Sequence, residues 1–189
     1  MRLFVAVLVA DDLRPPLAAA QERLRASGAA VKWVAPANFH FTLKFLGEVP
    51  DRRVQDIEAA LAKIPPGLGA SALTLRGLGA FPSPRRPRVL WAGVTAGAEP
   101  LQALAVGVEQ ALAALGFARE ARPFSAHLTI GRVERPTPDL TARLEREQAT
   151  AFGTMPVTAF CLMRSVLHPS GPEYTVVTQY ALAGGEERQ

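Results

Sequence analysis

The stretch "NFHFTLKFLG", residues 38–47, sets His40 and Thr42 two places apart in a run of β-forming residues. Side chains at i and i+2 of a strand share a face, about 7 Å apart along it. One side of this strand therefore presents an imidazole and a hydroxyl together, and Phe41 points the opposite way, into the protein. Far downstream "SAHLTIGR", residues 125–132, repeats the arrangement with His127 and Thr129. The chain has three histidines and eleven threonines in 189 residues, so chance rarely places a threonine two positions after two of the three. One pair alone would pass as strand composition; two at equivalent places point to chemistry.

The surroundings repeat as well. "RLFVAVLV" (2–9) and "RVLWAGV" (88–94) are predicted strands, each followed by an amphipathic helix. The first helix, "RPPLAAAQERLRAS", carries Leu17 and Leu24. The second, "EPLQALAVGVEQALAALG", carries Leu101, Leu104, Val108, Leu112 and Leu115 at helical spacing. Gly28 and Gly116 stand where these helices should stop. The two H-x-T strands come next, and each is followed by Pro-Asp (50–51 and 138–139) and a second helix, the Asp suited to its exposed amides. "ALTLRGLGAF" and "VTAFCLMRSVL" then end the two halves as β-rich stretches, and "YTVVTQYAL" closes the chain. The order β-α-β-α-β thus occurs twice, offset by 86 to 88 residues. The prediction is one bilobal α+β domain over residues 1–189, with repeat halves of about 1–85 and 86–189. A pseudo-twofold relation between the halves would set the two H-x-T pairs across a cleft.

Two histidines opposed across phosphorus suit an in-line displacement. One, neutral, takes a proton from the attacking hydroxyl or water; the other, protonated, gives one to the leaving oxygen. Threonine hydroxyls can hold the non-bridging oxygens, where charge grows. No carboxylate cluster or HExxH accompanies the histidines, so neither a metal nor another cofactor is expected.

Composition agrees with this reading without deciding it. The apolar fraction is 49%, and the longest apolar runs fall far short of a membrane span. The opening "MRLFVAVLVADD" has too short an apolar core, with acids directly after it, to be a signal peptide. It is expected to be a buried first strand of a cytoplasmic protein. Cys161 is the single cysteine, which excludes an internal disulfide, and its apolar setting predicts a buried, inert thiol. A net charge of +4 and pI near 9.8, carried mostly by arginine, lean toward an anionic partner.

Four segments together, "RLFVAV", "WVAPANFHFTLKFLGEV", "FPSPRRPRVLWAGV" and "RPFSAHLTIGR", resemble the two-histidine (2H) phosphoesterases over nearly the whole chain. They are most similar to the bacterial and archaeal RNA 2′,3′-cyclic phosphodiesterases, historically called 2′–5′ RNA ligases. The resemblance implies a bilobal α+β fold with two antiparallel sheets lining a central cleft, helices outside, and no metal. It implies catalytic roles for His40 and His127, as acid and base respectively, and phosphate binding by Thr42, Thr129 and Arg132. The implied reaction opens a terminal 2′,3′-cyclic phosphate with water to leave a 2′-phosphate. With an RNA 5′-hydroxyl in place of water it would form a 2′–5′ linkage without ATP. The implied partner is RNA with a cyclic phosphate end, tRNA fragments being one source, and the protein is expected to be a monomer. Ala126 departs from the proline that many relatives carry before the second histidine.

Other residues have two readings. Lys44, at i+4 from His40 on the same strand face, could reach the cleft or stand as a solvated charge at the strand end. Arg132, five residues past His127, would point away unless Gly131 allows a bulge. The Pro-rich basic loop "PSPRRPR" (82–88) offers Arg85, Arg86 and Arg88 to an RNA backbone, or is a stiff solvated linker. Trp33, Phe41 and Phe81 could stack bases, but core packing is the plainer reading. His168, in the turn "LHPSGPEY", lacks a threonine partner and is expected at the surface. Two further functions fit the residues: a phosphodiesterase of small cyclic nucleotides or 2′–5′ oligoadenylates, and a non-catalytic module that binds RNA ends.

Overall fold

A computed structural model describes residues 1–182. Nine strands form two antiparallel sheets. The first contains β1 (Arg2–Leu8), β3 (His40–Glu48), β8 (Ala159–His168) and β9 (Gly171–Ala181), in the order β3-β1-β8-β9. The second contains β2 (Val31–Trp33), β4 (Ser71–Ser83), β5 (Arg86–Ala96), β6 (His127–Val133) and β7 (Ala151–Val157), in the order β2-β6-β5-β4-β7. The helices are α1 (Arg14–Arg25), α2 (Val54–Leu61), α3 (Ala98–Ala113) and α4 (Thr141–Glu147).

Each sheet is built from both halves of the chain. β4 leaves the first half to pair with β5 and β7, and β8 leaves the second to pair with β1. The exchange is reciprocal, so the sheets share one core. In β1, Leu3, Val5 and Val7 join the helix residues Leu17, Ile57, Leu104 and Leu112 and the second sheet's Leu90 and Leu128 in that core. Phe4, Ala6 and Leu8 alternate with them and face the other way, where they meet Cys161, Met163 and Tyr174. The helices thus cover one face of the sheets, and the opposite faces are left to form a cleft.

The predicted helices form within a few residues of the expected spans. Pro15 and Pro16 are accommodated in the first turn of α1, where the missing N–H costs nothing. Asp139 accepts a hydrogen bond from the amide of Thr141 at 2.8 Å at the start of α4. Two strands had no clear signal. β2 has only three residues, and β7, "AFGTMPV", carries a glycine and a proline that weaken a strand reading. No helix among the described residues is long and apolar enough to cross a membrane.

Candidate active site

His40 opens β3 and His127 opens β6, and these two strands approach each other where the sheets meet. Both rings are held alike. Nδ1 of His40 lies 2.7 Å from the carbonyl oxygen of Asn38, and Nδ1 of His127 lies 2.8 Å from that of Ser125. A carbonyl only accepts, so each Nδ1 carries the proton and Nε2 holds the free lone pair when the ring is neutral. In β3 that lone pair lies 3.0 Å from the hydroxyl of Thr42, which donates to it. Each ring also meets an aromatic ring edge-on: Tyr174 of β9 at 5.3 Å for His40, and Phe81 of β4 at 5.1 Å for His127.

Beyond each H-x-T, a bulge decides which side chains face the cleft. β3 pairs Thr42 with Ala6 and Lys44 with Val5, leaving Leu43 unmatched. β6 pairs Thr129 with Trp91 and Gly131 with Leu90, leaving Ile130 unmatched. The extra residue reverses the alternation of side chains. In β3, Leu43 and Lys44 are therefore both buried, and Phe45 emerges on the face of His40, packed 6.1 Å from Phe4. In β6 the same step brings Arg132 onto the face of His127 and Thr129.

Lys44 does not reach the cleft. Its ammonium, almost wholly buried, donates to a carboxylate oxygen of Glu109 on α3 at 2.6 Å and to the carbonyl of Ala118 at 2.7 Å. The reading of Lys44 as a substrate contact assumed an unbroken strand, and the bulge overturns it. This residue instead ties the first motif to the helix and loop that precede the second. Beside Glu109, Leu43 and Phe124 line a cavity of about 250 Å³ on the face of β3 away from His40.

Arg132 does reach the cleft. Its charge acts on His40 and Tyr174, which belong to the other sheet. Burial, the largest cause, holds His40 below its usual pKa; its bond to Asn38 opposes that shift, and the guanidinium of Arg132, the smallest of the three effects, adds to it. Burial raises Tyr174, and Arg132 and Arg2 partly offset that rise. Gly131 is required by packing: a Cβ there would come within 2.6 Å of Val31 and 3.1 Å of Trp33 on β2.

Gln21 of α1 is a residue that sequence reasoning passed over. Buried at 4% exposure, its side-chain nitrogen donates to the carbonyl of the bulged Ile130 at 2.8 Å and to that of Val34 at 2.7 Å. It thereby pins the bulge that turns Arg132 inward. The available signal was a polar residue between Leu17 and Leu24 on the apolar stripe of α1.

The other expected residues are spread over the molecule. Phe41 is fully buried, as expected, and Trp33 lies half-buried beneath the guanidinium of Arg25. Phe81 departs from the core reading: it is 39% exposed and borders His127. Arg85 and Arg86 sit in the β4–β5 turn, on a groove beyond the cleft. His168 pairs with Glu173 at the β8–β9 hairpin, 3.2 Å away. Cys161 is buried, and burial raises its pKa. Among the described residues no group of three or more His, Cys, Asp or Glu is placed to hold a metal ion.

Comparison with known proteins places this geometry. The model of LigT like phosphoesterases matches residues 7–91 and 93–174. The RNA 2′,3′-cyclic phosphodiesterase of Archaeoglobus fulgidus is 42% identical, over 92% of this chain and 96% of that protein. The protein of the same name from Methanothermobacter thermautotrophicus is 37% identical, over 96% and 99%. Among solved structures, TT0787 of Thermus thermophilus superposes with a TM-score of 0.81 at 34% identity, over 97% of this chain and 99% of that one. E. coli LigT complexed with 3′-AMP superposes with a TM-score of 0.76 at 27% identity, over 97% and 98%. The chain belongs to the LigT like phosphoesterase family.

Proposed function

We propose that the protein opens the 2′,3′-cyclic phosphate at the end of an RNA chain, using His40 and His127 as an acid–base pair. The observation that carries this reading is the matched presentation of two imidazoles, each with Nδ1 committed to a backbone carbonyl so that Nε2 is the nitrogen that can exchange a proton, beside a cleft-facing arginine. His127 takes a proton from water as its oxygen bonds to phosphorus. The bond from phosphorus to O3′ breaks, and His40 supplies the proton that O3′ needs, leaving a 2′-phosphate. Thr42, Thr129 and Arg132 hold the non-bridging oxygens, where charge accumulates.

In the free protein the lowered pKa of His40 favours its neutral form, whereas an acid must arrive protonated. A cyclic phosphate bears one negative charge. Set between Arg132 and His40, it cancels the repulsion from the guanidinium and draws a proton onto the ring. With an RNA 5′-hydroxyl in place of water, the same displacement forms a 2′–5′ linkage.

The test is a short RNA ending in 2′,3′-cyclic phosphate, incubated with EDTA, with the position of the product's phosphate determined. A 2′-phosphate, formed at an undiminished rate, is the expected result. A 3′-phosphate would reverse the leaving oxygen, and loss of activity with the chelator would remove the metal-free mechanism. Binding without turnover would leave only an RNA-end binding module.

A further inference from the structure

Past Arg132, β6 ends at Val133 and continues as the segment 134–137, which runs beside the β4–β5 turn. Between them lies a groove of about 550 Å³ lined by Arg85, Arg86, Arg88 and Arg135, with Glu134 as its one acidic wall residue. Arg85 is partly engaged by Asp139 at 3.9 Å, both well exposed. Among the described residues, Arg86, Arg88 and Arg135 form no ion pair with any protein carboxylate. The walls are held in place: the amide of Leu140 donates to the carbonyl of Pro84 at 3.0 Å, and that of Arg86 to the hydroxyl of Ser83 at 3.3 Å. Pro87 and Pro136 are part of the lining.

Unpartnered guanidinium groups gathered in a concavity repel one another. Each is a planar fork suited to a phosphate oxygen pair. The groove is also lined by Val133 and Glu134, which directly follow Arg132, so it lies at the end of the strand that carries Arg132. We propose that this groove carries the backbone of the nucleotides on the 5′ side of the reacting end, which makes a single-stranded RNA of several nucleotides the preferred substrate over a cyclic mononucleotide. The inference rests on the proposed function for the identity of the ligand. The contacts are to backbone phosphates, so they add affinity without reading sequence.

The experiment measures binding, so that it does not depend on turnover. Fluorescently labelled RNAs bearing a 2′-phosphate, from mononucleotide to hexanucleotide, are titrated by anisotropy over a range of KCl concentrations. The wild-type protein is compared with an R86Q/R88Q/R135Q variant. Affinity of the wild type should rise with length. Each phosphate neutralised on a single strand contributes about 0.7 to the slope of log affinity against log salt, so the variant should lose about 2 from its hexanucleotide slope. It should also bind the hexanucleotide roughly 10- to 100-fold more weakly at low salt. A variant with Arg52, Lys63 and Arg146 changed to Gln matches the loss of net charge and should keep the wild-type slope. Affinity independent of length, or an unchanged slope in the groove variant, would overturn the inference. Length-dependent binding by a protein that hydrolyses no cyclic phosphate would leave the groove standing and remove the proposed function. Hydrolysis of hexanucleotide and mononucleotide with equal KM and equal salt dependence would do the reverse.

Discussion

β3 and β6 begin with the same H-x-T pattern, hold their histidines by the same backbone bond and carry a bulge at the same step, yet they build different surroundings. His40 is enclosed by Phe4 and Tyr174 and bonded to Thr42, and its pKa is lowered. Two residues after its bulge comes Phe45, which is 57% exposed. His127 borders the partly exposed Phe81, and the corresponding residue after its bulge is Arg132. A duplicated motif thus supplies paired chemical groups, and the residue turned inward by each bulge makes one side aromatic and the other cationic. In the proposed reaction, that asymmetry would suit two equivalent imidazoles to unequal roles on one phosphorus.

The largest test of the comparison is to remove each ring in turn. His40→Ala and His127→Ala should each lower turnover of cyclic-phosphate-ended RNA by about 10²–10⁴-fold, as expected for a general acid or base. The pairing would be broken by a variant that keeps near-wild-type turnover. Next in size is Lys44→Met, which leaves the carboxylate of Glu109 without its buried partner. It should cost about 3 kcal/mol in urea unfolding, at the low end for a broken buried pair because Glu109 retains some solvent contact. Adding Glu109→Leu should recover most of that loss.

Gln21→Met keeps the volume but removes the side-chain donor to the carbonyl of Ile130 at the bulge and the one to the carbonyl of Val34. A loss of about 1–3 kcal/mol in stability is expected, together with a raised KM through the misplacement of Arg132. Stability loss with no change in KM would confine Gln21 to a packing role. The smallest effects concern protonation. Arg132→Ala should raise the pKa of His40 in an NMR titration, and Arg132→Lys should keep it lowered, since a cation there disfavours the imidazolium. The folded pKa of His40 lies below 6.5, so the unfolded chain binds its proton first. The corresponding stability is intact above pH 6.5 and falls as pH drops through the folded value. His40→Asn should flatten that part of the pH–stability curve.

Much of this architecture could be read from local pattern. Period-2 and period-3.6 repeats located β1, β3, β5, β6 and the four helices, because a sheet or helix with one apolar face records that face in its sequence. The repeated order of elements pointed to two halves facing across a cleft, and the family resemblance implied the two antiparallel sheets that line it. Lys44 was misplaced, and Arg132 left undecided, for one shared reason. A bulge shifts alternation by one residue, and it is set by how β1 and β5 pair alongside, not by the bulged strand's own composition. Phe81 and Tyr174 reached the site because strands distant in sequence lie within reach of the histidines.

By itself, then, the sequence determined the paired imidazoles and hydroxyls and the elements that carry them, because those depend on residue type and spacing along one strand. Only the tertiary structure decided which side chain beyond each motif enters the cleft, which carbonyls set the histidine tautomers, and which strands each sheet takes from the other half. Those outcomes depend on neighbours dozens of residues away, whose register, packing and charge leave no mark within the motif itself.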